Sequence, residues 1–411
     1  MNILVLNCGS STVKFQIINT SRELIKSDSE RCLASGNLEK IGCPDAIVTL
    51  KATGKEPYKD IRPLADHREA INVVLKWIDS GKSGIESVNS LADINAVGHR
   101  VLHGGERFIK SVLVDEDVMK GIDDCAVWGP LHNPANLRGI QACRDLLGEK
   151  VPQVAVFDTD FHHTMAPSAY IYGLPYEYYE KYGIRRYGFH GTSHRFITHK
   201  YAEKMGKKVE DVNIISLHLG NGCSACAIKN GKCVDTTMGL TPHEGLLMGT
   251  RAGDMDAAVM CFLAEKAKLS FEELNTIINK KSGVLGVSGI SSDMRDLEQA
   301  ALQDKNERAQ LALDIFCTRV KKYIGAYLAE MNGAEAIVFT GGVGQNSDYI
   351  RAKVCEGLDS LGIVIDAKAN GELPRSTGGM ISAKESRIAV WALPTNEELM
   401  IARDTVELAE K

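Results

Sequence analysis

Three glycine-rich segments of this 411-residue chain each follow an apolar run: residues 7–11 (NCGSS), 218–222 (HLGNG) and 341–346 (GGVGQN). Glycine lets the backbone approach a phosphate and point N–H groups at it. One such segment is ordinarily only a turn, but three on separate strands point to phosphate binding. No G-x-x-x-x-G-K-[ST] is present, and Gly342-Val343-Gly344 runs into Gln345-Asn346-Ser347 without completing G-x-G-x-x-G. Walker-type and dinucleotide sites are therefore disfavoured. Lys14, on the strand after the first turn, reads either as an exposed strand lysine or as a point charge for terminal phosphates.

Arg100 and Arg251 stand in glycine-flanked turns, GHRV and GTRAGD. Each is either a structural arginine tied to a carboxylate or a guanidinium fork for a carboxylate and a transferring phosphoryl group. Asp158 ends an apolar strand and Glu397 falls in the first turn of the last helix, both hard oxygen donors of the kind Mg2+ takes. Ten of the eleven histidines lie between His99 and His243, in segments such as GHRVLHGGERF, PLHNPAN, FDTDFHHTM, YGFHGTSHRF and SLHLGNG. His190 precedes Gly191-Thr192-Ser193 in a turn, so His190 and His194 do not share a helix face, and histidines lining a polar cleft fit better than a zinc pair. Cys223 and Cys226 form a lone C-x-x-C with Cys233 nearby, but no second ligand pair follows at zinc spacing.

Positioning these residues calls for strands alternating with helices. Strands are expected near 3–6, 94–97, 151–157, 214–217, 225–228, 336–339 and 388–393, with Val13, Phe15 and Ile17 alternating in another. Helices are expected over 68–79, 136–147 and 307–331, after the capping box of Ser270 and Glu273, and after Thr395-Asn396 with Glu398 in the reciprocal capping position. Strand, small-residue turn, strand occurs twice, about two hundred residues apart on this reading, which hints at two related halves. The pattern is α/β, and no proline- or serine-rich linker separates the halves. The length favours two domains.

A net charge of −5, with 44% hydrophobic and 25% charged residues, describes a globular chain with no basic surface for nucleic acid. No run approaches the roughly 18 apolar residues of a membrane helix, and the apolar start lacks a basic n-region. Eleven scattered cysteines fit reduced thiols in a cytoplasmic protein.

The blocks NCGSSTVK, GHRVLHGGE, LHNPAN, FDTDFH, YGFHGTSH, HLGNG, VDTTMG, GTRAGDMD, SGVLGVSG, DMRD, GGVGQNS and PTNEELMIARDT run in order along the chain. In these blocks the sequence resembles the acetate kinases, within the acetate and sugar kinase, heat-shock ATPase and actin superfamily, over essentially its full length. The resemblance implies a two-domain actin-like ATPase fold with a duplicated βββαβαβα core and an interdomain active-site cleft. Its domains would be 1–160 plus 399–411, where the last helix returns, and a nucleotide-binding 161–398. It also implies a homodimer using ATP/ADP and Mg2+, with Mn2+ as a substitute.

By motif, Asn7 and Glu397 would hold Mg2+ and Lys14 would reach ATP. His218, Leu219, Gly220, Asn221, Gly222, Asp293, Met294, Arg295, Gly342, Val343, Gly344, Gln345 and Asn346 would line the nucleotide site. Arg100 would bind the carboxylate substrate, Asp158 would be the essential acid, and His190 and Arg251 would stabilise the transition state. Leu102, Leu131, His132, Phe189 and Pro242 would border the substrate. Leu102 stands where the family often has valine or alanine, which should favour acetate over propionate, although one methylene discriminates by only about 1–3 kcal/mol. Met294, Gln345, Asp160 and Ala257 also depart from the usual residues, and Asp160 adds a negative charge with no evident purpose. The rival readings are a propionate or broad short-chain acyl kinase, a pyrophosphate-dependent enzyme, and a non-catalytic nucleotide-binding regulator.

Overall fold

The structure, a computed structural model, describes every residue except Leu131 and Lys411. The chain forms two compact units: unit 1 is Met1–Phe161 together with the chain from Asn396 onward, and unit 2 is His162–Thr395. Among the described residues no helix is long and apolar enough to cross a membrane.

Unit 1 is built on eight strands: β1 (Asn2–Cys8), β2 (Thr12–Asn19), β3 (Arg31–Glu39), β4 (Ala46–Ala52), β5 (Tyr58–Arg62), β6 (Ala96–Val101), β7 (Val112–Leu113) and β8 (Gln153–Phe157). Their order in the sheet is β5-β4-β3-β2-β1-β6-β8-β7. β1 is antiparallel to β2 but parallel to β6, and β6 is parallel to β8. A strand in such a position is covered on both faces, and period-two alternation decides which side chain meets which layer. Leu4 and Leu6 join the cluster that holds Ala70, Val74 and Ala142, from helices His67–Asp79 and Asn133–Leu147. Ile3 and Val5 face the other way, onto Ile401, Ala402 and Val406 of the C-terminal helix Glu397–Ala409.

Unit 2 carries six strands: β9 (Ile214–Leu219), β10 (Cys223–Lys229), β11 (Lys232–Thr236), β12 (Ala336–Thr340), β13 (Gly379–Met380) and β14 (Ala389–Ala392), ordered β11-β10-β9-β12-β14-β13. The pairings repeat those of unit 1. β9 is antiparallel to β10 and parallel to β12, β12 is parallel to β14, and the short β13 closes the edge antiparallel. The run β3-β2-β1-β6-β8-β7 thus has a strand-for-strand counterpart, with β4 and β5 additional in unit 1.

Several local expectations are corrected. The strand expected at 94–97 begins at Ala96 and continues to Val101, so Arg100 lies in the sheet and not in a turn. The glycine run at 341–346 is a one-and-a-half-turn helix, Gly341–Asn346, that starts where β12 ends and whose last carbonyls are bound by Arg351. The last helix is capped by Asn396, whose Oδ1 accepts the Leu399 N–H at 3.0 Å, and not by Thr395. The helix expected at 307–331 and the Ser270–Glu273 capping box are present.

The C-terminal helix presses closely on β6. A Cβ at Gly98 would lie 2.5 Å from Thr405 Oγ1 and 2.7 Å from Ile401 Cγ2. Gly98→Ala is expected to lift that helix and to lower unfolding free energy by roughly 1–3 kcal/mol, the usual range for overpacking. Urea denaturation measures it; an unchanged midpoint would contradict the close fit.

Candidate active site

In unit 1 the register does the assembling. Asn7 on β1 is the partner of Lys14 on β2 and of Arg100 on β6, so three site residues form one row across three strands. Asp158 follows the last residue of β8, beside Val101, whose carbonyl accepts the Asp158 N–H at 2.9 Å. Arg100 meets Asp158 with two donors: Nε donates to Oδ1 at 2.8 Å and a terminal nitrogen donates to Oδ2. The other terminal nitrogen donates to Asn7 Oδ1 at 3.2 Å, and Nε lies 3.9 Å from Glu397 Oε2. Asp158 has no exposed surface, and the Arg100 and Glu397 side chains retain 17% and 18%.

Two carboxylates therefore share one partly buried guanidinium. Burial pushes the Glu397 carboxyl up, Arg100 opposes that, and the Asp158 charge reinforces it, leaving a pKa of about 7. Burial draws the Arg100 pKa down, but Asp158 and Glu397 outweigh it and hold the guanidinium firmly charged. Lys14 is exposed on β2, near enough for its charge to favour ionised Glu397.

Two asparagines that residue-by-residue reasoning left without a role hold this end of the sheet. Asn136 Nδ2 donates to Cys8 O at 2.8 Å, and its Oδ1 accepts the Leu102 N–H at 3.1 Å. Asn133 accepts the His103 N–H at 3.1 Å and donates to His103 O and Ile122 O at 3.0 Å each. Their signal was present in the LHNPAN block. Leu102 is buried at 4% exposure, His132 sits at the N-cap of helix Asn133–Leu147, and Leu131 falls outside the described residues.

In unit 2, His190 occupies the N-cap of helix Gly191–Met205 with φ 56°, a left-handed conformation rare outside glycine. Its Nδ1 is 2.9 Å from Ser224 Oγ, and its ring stacks on that of His218 with centroids 4.1 Å apart. His218 Nδ1 is 2.8 Å from Ser193 Oγ. Ser224 Oγ also lies 2.8 Å from Nε2 of the buried His194, which burial, helped by His162 and His218, keeps neutral by driving its pKa well down. A Cβ on Gly222 would stand 3.6 Å from both His190 Nε2 and an Arg251 terminal nitrogen. That same Arg251 nitrogen donates to Pro242 O at 2.7 Å. The imidazole, the guanidinium and the glycine turn therefore converge.

β9 runs on through His218 and Leu219, so the expected turn shrinks to residues 220–222, and the Gly249 N–H binds Asn221 O at 2.9 Å. Thr340 pairs with His218, and a Cβ on Gly341 would strike Leu219 O at 2.7 Å, so the Gly341–Asn346 helix starts flush against β9. Gly342 faces open space. Gln345 Nε2 donates to Arg375 O, and Asn346 Nδ2 donates to Gly342 O at 2.8 Å. Buried Arg351 donates to Gly344 O at 3.1 Å and Gln345 O at 2.7 Å, satisfying the end of that helix. A single arginine in DYIRAKV carries no motif by which to find it. Asp293 caps helix Met294–Leu302 and binds the exposed Arg295; Met294 is buried, and Glu298 of that helix accepts the Ser347 hydroxyl at 2.6 Å. Phe189 is buried and Pro242 half-buried, both in unit 2.

The acetokinase family model matches residues 2–403. The chain belongs to the acetokinase family. It is 52% identical to the acetate kinase of Chloroherpeton thalassium over 410 residues, covering 98% of each chain. It is 53% identical to acetate kinase 2 of Clostridium perfringens over all of both chains. Among solved structures it is similar to Porphyromonas gingivalis acetate kinase (TM-score 0.91, 44% identity, 99% of each chain covered). A propionate kinase from Francisella tularensis is also similar, with TM-score 0.90, 39% identity and 99% of each chain covered.

In this acetokinase-family chain Glu397 titrates at about 7 when folded against 4.5 ordinarily. Between those values the folded state keeps a proton that the unfolded state has lost, so the group's contribution falls as pH rises, by up to ~1.4 kcal/mol per unit. Glu397→Gln should therefore gain stability relative to wild type as pH rises from 5 to 7.5 in urea denaturation without added cations. A difference independent of pH would contradict the shared-guanidinium account.

Proposed function

We propose that this acetokinase-family enzyme transfers the γ-phosphoryl group of ATP reversibly to acetate, giving acetyl phosphate and ADP by direct in-line displacement. The observation that carries the reading is the convergence of His190 and Arg251 on the Gly222 turn, in a chain about half identical over its full length to acetate kinases. A carboxylate is already a nucleophile, so no strong base is needed. The barrier lies in bringing two anions together and in stabilising charge on the equatorial oxygens.

Unit 2 acts as the nucleotide-binding domain. Residues 218–222 and Gly342, Val343, Gly344, Gln345 and Asn346 receive ATP, the open face at Gly342 admits it, and Asp293, Met294 and Arg295 border it. Lys14 supplies a point charge to the terminal phosphates. His190, held at Nδ1 by Ser224, presents Nε2 to the transferring group alongside the Arg251 guanidinium. Arg100 attracts the acetate carboxylate. Both oxygens of Asp158 already bind Arg100, which favours holding that guanidinium in place over moving a proton. Leu102, His132, Phe189 and Pro242 limit the acid's size.

Asn7, Asp158 and Glu397 offer hard oxygens around a cluster short of positive charge, a donor set that fits Mg2+ or Mn2+. When bound, the cation supplies positive charge to the phosphate oxygens. Asn7 and Glu397 would hold it, and Asp158 would orient it. A homodimer in the cytoplasm completes the reading, in keeping with the family resemblance and eleven free thiols.

Hydroxamate trapping of acyl phosphate with Mg-ATP tests it across acetate, propionate and butyrate. Activity should be highest with acetate and fall by roughly 10-fold or more per added methylene. A preference for propionate would overturn the substrate assignment. No acyl phosphate from folded protein that binds ATP would overturn the kinase reading in favour of a regulator.

A further inference from the structure

The C-x-x-C pair does not act together: strand alternation sends residues three apart to opposite faces of β10. Cys223 Sγ turns to Gly220 O at 3.2 Å. Cys226 instead meets Cys233 of β11, Sγ to Sγ 3.5 Å, and Cys233 Sγ lies 3.1 Å from His162 Nδ1. A bulge makes this possible. The register runs Cys226 to Thr236 and Ala227 to Asp235, then shifts so that Ile228 faces Cys233. Without that shift Cys233 would point to the other side of the hairpin.

We propose that His162, Cys226 and Cys233 form a buried binding site for one zinc-class cation, separate from the phosphoryl-transfer residues. Among the described residues this is the one group of histidine, cysteine or acidic side chains whose ligand atoms all lie within 4.8 Å of one another, and all three are buried. Tetrahedral zinc with its usual bond lengths holds S···S near ~3.8 Å and S···N near ~3.6 Å, within about half an ångström of the Cys226–Cys233 and Cys233–His162 separations, and Cys226 Sγ lies within 4.8 Å of the His162 ligand atom. Two thiolates and an imidazole suit soft and borderline cations and not Mg2+.

The histidine is oriented as a ligand should be. Its Nε2 is 3.0 Å from Phe189 O, which only accepts, so the proton sits on Nε2 and the Nδ1 lone pair faces the sulfurs. Gly188, at φ +79°, allows the chain to lie against the imidazole, since a Cβ there would fall 2.7 Å from the ring. Asp235 O, 3.5 Å from Cys233 Sγ, or a water completes the coordination. Binding forms two metal–sulfur bonds and one metal–nitrogen bond, and the protons still held by the two sulfurs leave to solvent. Because His162 also holds Phe189 O, an occupied site braces the peptide that leads into His190.

The test uses reduced, chelator-treated full-length protein titrated with Co2+ as a spectroscopic stand-in. Expected are one equivalent bound with a near-ultraviolet thiolate charge-transfer band, proton release on binding, and displacement by Zn2+. Cys226→Ser and Cys233→Ser should abolish the band, while Cys223→Ser keeps it. Absence of a thiolate band in folded wild-type protein would overturn the proposal, and that result requires no variant to fold. A band that survives Cys226→Ser, or that vanishes in Cys223→Ser, would overturn it equally.

Discussion

The arrangement of unit 1 depends on placing two carboxylates and one guanidinium together largely out of water. Burying ions costs several kcal/mol each, and a buried pair seldom repays that in stability. Asp158 is bound by Arg100 Nε and one terminal nitrogen, while Glu397 is left at 3.9 Å with its pKa displaced upward. A cluster so short of positive charge makes little sense as a fastener. It fits the proposed role of receiving further cationic charge and an anion drawn to Arg100. The close approach at Gly98, the asparagine ties of Asn133 and Asn136, and the Asn396 cap all hold the backbone on which these charges sit.

The repeated sheet puts chemistry at matching positions. In unit 1 the row across three strands is Lys14, Asn7 and Arg100; in unit 2 it is Ser224, His218 and Thr340. Both rows lie toward the C-terminal ends of parallel strands, where α/β sheets gather their ligands. One row joins two cationic side chains to an amide, and the other joins hydroxyls to an imidazole. The Gly341 helix begins where β12 ends, and Arg351 fills its far end from the core.

Much of this was legible in the sequence, because strand–turn–strand punctuation and glycine motifs are local signals. The helix Glu307–Met331 and the Ser270 cap were read from spacing alone. β3 to β5 were not read along the chain, because Tyr58–Arg62 is mostly exposed and Arg31–Glu39 mixes polar with apolar positions. The glycine run at 341–346 read as a turn, since its helicity comes from its abutment on β9 and from Arg351 and not from propensity. The Thr395 cap misled because Thr395 Oγ1 instead meets Ser193 Oγ at 2.8 Å. Cys226 and Cys233 were brought together by a register shift, a feature that no spacing rule encodes.

The central claim is that His190 and Arg251 form a clamp for the transition state and do not simply hold nucleotide. It is tested most directly by measuring turnover and nucleotide affinity side by side in Arg251→Ala. The account predicts that kcat falls by about 10²–10³, as when a preorganised charge donor is removed, while the Kd for ADP changes by less than roughly threefold. Turnover that persists while nucleotide affinity collapses would contradict it.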